Sequence, residues 1–114
     1  MPRRYRRART DYPEGVLAIY DNGGKSIDRY TVVYAPYPLP YADGIRPVGT
    51  PVFPYVCMSG APFHPQGVCQ HGEGVGTRPT GGWYNSDTGH VIAFEKLPPD
   101  CQEAVHLDLK DEED

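Results

Sequence analysis

The stretch Val16-Leu17-Ala18-Ile19-Tyr20-Asp21-Asn22-Gly23-Gly24-Lys25-Ser26-Ile27-Asp28-Arg29-Tyr30-Thr31-Val32-Val33-Tyr34 decides the fold class. Val16 to Tyr20 is an apolar run of strand length. Asp28 to Tyr34 is rich in β-branched and aromatic residues. Tyr30, Val32 and Tyr34 alternate with Arg29, Thr31 and Val33, so the two sets face opposite sides of a strand. Asn22-Gly23 between the runs supplies positive φ at low cost and is a strong hairpin signal. Residues 16–34 therefore read as a β-hairpin with a polar loop.

The rest of the chain fits a strand-rich domain. It has 114 residues, which is one domain. Leu, Ile, Val and Phe account for only 22 of them, but nine Tyr and one Trp add large faces to bury. Thirteen Gly and thirteen Pro argue against a helical bundle and for strands joined by turns. Residues 35–51 interleave Pro36, Pro38, Pro40 and Pro47 with Tyr37 and Tyr41, and read as an extended surface segment of polyproline type. Val52 to Met58 is the next strand, with Pro54 marking it as an edge or shortening it to begin at Tyr55. Residues 59–82 read as a long Gly-rich loop, Trp83-Tyr84 as a short strand, Asp87-Thr88-Gly89 as a turn and His90 to Glu95 as a strand. Leu97-Pro98-Pro99-Asp100 opens a helix with an apolar stripe at Leu97, Cys101, Ala104, Val105 and Leu107. The expected architecture is α+β: a small β-rich antiparallel sheet or partly open barrel with one C-terminal helix. Residues 1–14 read as a disordered Arg-rich tail, 15–109 as the domain and 110–114 as an acidic tail.

Charge is unevenly placed. Residues 1–10 carry five Arg and no acid, residues 100–114 carry seven acids and one Lys, and the formal net charge is −4. That balance is unlike a general nucleic-acid-binding domain, although the Arg-rich head leaves contact with nucleic acid open. No apolar run is long enough to span a membrane, and no apolar segment follows the Arg cluster as a secretory signal would require. Three cysteines without paired spacing suit reduced thiols, so a cytoplasmic setting in a bacterial host is expected.

Two segments hold the candidate site. Gly24-Lys25-Ser26 has the ending of a phosphate-binding loop but lacks its first Gly, since position 19 is Ile, and it opens a strand rather than a helix. Asp21, Asn22, Asp28 and Arg29 remain as candidate ligand-binding groups, with Arg29 suited to an anion. The second segment runs from Ser59 to Gly74. Ser59, Gln66 and Gln70 offer hydrogen bonds, and His64, His71 and Glu73 offer acid/base chemistry at neutral pH. Cys57, His64, Cys69 and His71 are four zinc-type ligands, though their spacing fits no common finger, so zinc is a possible cofactor. Cys69 with His71 or His64 could instead form a nucleophile and base, given a third orienting group. The plain alternative is a polar surface loop anchored by Phe63 and Val68. His90, His106 and Cys101 read as structural.

Tyr20-Asp21-Asn22-Gly23-Gly24-Lys25, Asp28-Arg29-Tyr30-Thr31-Val32-Val33, Pro62-Phe63-His64-Pro65-Gln66-Gly67, Gln70-His71 and the Ile92 to Gln102 stretch together resemble a family of small uncharacterised proteins of bacteriophages, plasmids and bacterial genomes. The resemblance covers roughly residues 15–109. It implies that the hairpin turn and the His/Gln loop belong to one site, and it supplies no activity. The expected function is binding, with hydrolysis an open question, of a small polar or anionic ligand such as a nucleotide between the 21–29 turn and the 59–73 loop. The competing expectations are a non-catalytic interaction module that engages a host protein through Tyr37, Tyr41 and the acidic tail, and a zinc-stabilised small domain.

Overall fold

The computed structural model describes residues 11–21, 29–42, 44–75 and 90–112. The β1 strand (Val16–Asp21) and β2 (Tyr30–Tyr34) pair antiparallel, from Asp21 opposite Tyr30 to Val16 opposite Tyr34, with an irregularity between Val16 and Ala18. The hairpin is therefore present, while the turn at 22–28, Asn22 and Asp28 included, lies outside the described residues. Its neighbours are β3 (Tyr37–Pro38), β4 (Pro51–Met58), β5 (Cys69–Val75) and β6 (His90–Val91). All pairings are antiparallel.

Register fixes the layout. On one edge of β4, residues 55–58 pair with β2 and residues 51–52 with β3; its other edge pairs with β5 along 52–58. So β2 and β3 occupy one position, and the order across the sheet is β5, β4, β2 with β3, β1, β6. The sheet is open rather than closed, so of the two expected forms the sheet is the one adopted. One helix, α1 (Pro99–Glu112), completes an α+β fold.

The alternation seen in the sequence becomes two buried faces. Tyr30, Val32 and Tyr34 join Val16, Ile19, Val56 and Met58 beneath Leu97, Cys101, Ala104 and Val105 of the helical segment. Thr31 and Val33 turn the other way and are equally buried, Val33 beside Leu17, Ala18 and Phe53. Burial of apolar surface on both sides is the main favourable term for a domain this small.

Several expectations are corrected. Tyr12 is buried in the helix-side core, and its hydroxyl donates to Ile92 O at 2.7 Å, so ordered structure begins before residue 15. Pro54 does not shorten its strand. The Ser59–Val68 bond extends the β4–β5 ladder, so odd-numbered residues of β4 face β5 and Pro54 faces the other way, into the unpaired gap between β2 and β3. A missing donor there breaks no ladder bond. The Pro-rich segment does not simply run across the surface. Leu39 N–H donates to Thr50 O and Gly49 N–H to Leu39 O, which folds residues 39–50 back as an arm. Part of the expected loop 59–82 is instead β5. His90 to Glu95 contains only a two-residue strand followed by a 3-10 turn at Phe94–Lys96. Leu107 is half exposed, and Leu109 packs on the core in its place. The readings at 83–84 and 87–89 lie outside the described residues.

Candidate functional site

The β4–β5 ladder places the central polar segment. Gln70 lies opposite Cys57, His71 opposite Val56, and Cys69 opposite Met58. Since Val56 and Met58 face α1, Cys69, His71 and Glu73 share the helix side, whereas Gln70 and Cys57 share the opposite side. The four zinc-type residues are therefore not gathered. Cys57 is buried on the far face, where its Sγ lies 3.8 Å from Thr31 Oγ1. His64 sits in the 59–68 loop, with its Nδ1 accepting from Gln66 N–H at 3.1 Å. Among the described residues no three His, Cys, Asp or Glu side chains are grouped to hold a metal ion.

His71 meets a residue that sequence reasoning did not single out. Its Nε2 lies 2.9 and 3.0 Å from the two carboxylate oxygens of Asp108, in the second half of α1. The Tyr34 hydroxyl donates to the same carboxylate at 2.6 Å. Asp108 thus joins β2, β5 and α1 through one group. The sequence signal was an acid on the same helical stripe as Cys101, Ala104 and Val105; it lies 37 residues from His71, and only packing brings the two together.

This arrangement supplies the orienting group that a Cys–His nucleophile would need, but its electrostatics oppose that chemistry. The Cys69 thiol is held above the ordinary thiol range, first by burial and then by the negative charge of Asp108. The carboxylate that positions His71 therefore disfavours the thiolate. Cys101, fully buried, donates to Ser59 O at 3.2 Å, and burial pushes its thiol up to about 11.

The other candidates have local partners. Arg29 Nε donates to Asp21 Oδ1 at 2.7 Å and Nη2 to Oδ2 at 3.3 Å, with the guanidinium 5.3 Å from the Tyr30 ring centre. This contact raises the Arg29 pKa further, so it is a permanent cation. Ser59 Oγ accepts from Val68 N–H at 3.0 Å and closes the 59–68 loop. Gln66 is exposed in that loop. Glu73 accepts a hydrogen bond from the Tyr37 hydroxyl.

The register does place Arg29 and the 59–68 loop at one end of the sheet, because the β2–β4 pairing continues from Tyr30–Met58 toward Arg29 and Ser59. His71 lies further along the sheet, two strand spacings or about 10 Å from β2, and is tied to Asp108. Arg29 and His71 thus have separate partners rather than one shared cluster.

The opposite end of β2 carries the arm. Ile45 is 85% exposed, Tyr41 68%, Val48 64% and Tyr37 41%. Gly44 and Gly49 take φ values of 90° and 92°, a backbone conformation glycine adopts without strain. Thr50 Oγ1 donates to Pro47 O at 2.7 Å and stiffens its return.

These features define an open-sheet α+β domain with a Tyr–Asp–His cross-link on one face and an apolar arm at one end. Comparison with protein-family models, curated proteins and solved structures gives no match. Among the described residues no helix is long and apolar enough to cross a membrane.

Proposed function

We propose that this domain is a non-catalytic protein-interaction module whose working surface is the 37–50 arm. One observation carries the reading: Tyr37, Tyr41, Ile45 and Val48 lie exposed on a single structured segment. Scattered exposed apolar side chains are ordinary, but four on one short hydrogen-bonded segment suit a contact surface. The arm is held by backbone hydrogen bonds, so little ordering entropy is lost when it docks. Tyr supplies large area with few rotatable bonds, as anchor residues do. The partner is a protein with an apolar pocket, which in a phage or mobile-element setting would be a host protein.

The test is a paired capture experiment with immobilised protein. A species held by the wild type and by Arg29→Ala, but lost with Tyr41→Ser/Ile45→Ser/Val48→Ser, is the expected result. Equal retention by the arm variant would overturn the proposal.

A second reading is supported by the position of Arg29. Its side chain is 44% exposed, at the same sheet end as the 59–68 loop. A small anionic ligand such as a nucleotide would sit there, with Arg29 meeting its charge. Titration with a nucleotide followed by NMR checks it: shifts should centre on Arg29, Ser59 and Gln66 and vanish with Arg29→Ala.

A further inference from the structure

Among the described residues β5 is an edge strand, pairing with β4 alone along all seven residues from Cys69 to Val75. The ladder phase set by the Ser59–Val68 bond turns the backbone groups of Gln70, Gly72 and Gly74 toward β4. Cys69, His71, Glu73 and Val75 therefore point their N–H and C=O groups outward. Natural sheets protect such edges with Lys, Pro, bulges or short strands. The β5 strand has no Lys and no Pro, its register is unbroken, and it is among the longest strands here.

We infer that β5 pairs antiparallel with β5 of a second copy of this chain, about a two-fold axis at Gly72. Two features of the strand select this occupant and register. Only an axis at Gly72 pairs all seven residues of the strand, with Cys69 opposite Val75 and His71 opposite Glu73. That register sets each His71 beside the carboxylate of the other copy's Glu73, twice by symmetry, whereas an axis at His71 or at Glu73 would oppose like groups. The centre of the contact is Gly72 facing Gly72, with the Tyr55 ring of each copy lying over its own glycine. Two open sheets then become one continuous sheet, with both helices on the same face. His71, already held through Nε2 by Asp108, keeps Nδ1 available for this contact.

Light scattering of the full-length chain across a concentration series should show a monomer–dimer equilibrium. Glu73→Lys places a cation opposite His71 and should weaken the dimer by about tenfold. Val75→Cys reads the register directly. With a short bis-maleimide, Cys69 of one copy and the new thiol of the other should join in a covalent dimer, each thiol adding across one maleimide double bond with nothing released. Cys69→Ser/Val75→Cys should form none, because the two new thiols lie at opposite ends of the contact. A monomer at every concentration would overturn the inference. So would a dimer of folded Val75→Cys, checked by circular dichroism, that fails to cross-link.

Discussion

Asp108 holds His71 by both carboxylate oxygens, at 2.9 and 3.0 Å, across the gap between the helix and the outer strand. The same carboxylate accepts from Tyr34, so one acid on α1 fastens two strands. The two bonds differ in setting. Tyr34 is buried, whereas the His71 side chain is 56% exposed. A bond to a charged acceptor in a buried setting contributes more than a solvent-screened one. Tyr34→Phe should therefore cost about 1–2 kcal/mol, and His71→Ala less than about 1 kcal/mol. Asp108→Ala should exceed either one. Urea denaturation of the three variants gives the order directly.

Thiol chemistry separates the cysteines. Cys57 and Cys101 are buried and Cys69 is exposed. Iodoacetamide at mildly alkaline pH should modify Cys69 first in the folded protein. Asp108 helps to raise the Cys69 thiol, so Asp108→Asn should lower that pKa and quicken the reaction at fixed pH. Mass spectrometry of timed aliquots reads both effects, and a slower reaction in Asp108→Asn would contradict the placement of the carboxylate.

Gly72 lies under Tyr55. A Cβ at position 72 would collide with the Tyr55 hydroxyl and ring. Gly72→Val should destabilise the domain by about 1 kcal/mol by displacing the Tyr55 ring, despite the better strand propensity of Val. Tyr55→Ala/Gly72→Val should lose less than the two single changes added together, because the pair shares one contact. Additive losses would show that the ring does not rest on the glycine.

Tyr37 provides a pH signature. Its hydroxyl donates to the Glu73 carboxylate, and that bond, followed by burial, raises its pKa from 10.0 to about 12. A folded-state pKa above the unfolded value means the bond's contribution is complete below the unfolded pKa and is lost as pH rises through the folded one. The stability difference between wild type and Tyr37→Phe should thus be constant up to about pH 10 and shrink toward pH 12. Ultraviolet titration should show a tyrosine ionising near pH 12 that is absent from Tyr37→Phe.

The sequence by itself determined the β1–β2 hairpin, the two faces of β2, the start of α1 and the buried role of Cys101. Each follows from local periodicity or terminal chemistry, which neighbouring residues carry among themselves. It misread β5, because Gly72 and Gly74 look like loop residues until Tyr55 is seen lying over Gly72. It misread Pro54, because whether a missing donor matters depends on which edge it faces and on what lies there. It grouped Cys57 with Cys69 and His71 as ligands, since spacing cannot show that strand register sends them to opposite faces. Tertiary structure alone decided that His71 belongs to Asp108 and Tyr34, that Tyr12 is core, and that the Tyr- and Pro-rich segment folds into an arm. The reason is physical: a residue's partner across a sheet or under a helix is set by register and packing over the whole chain, and no local pattern encodes either.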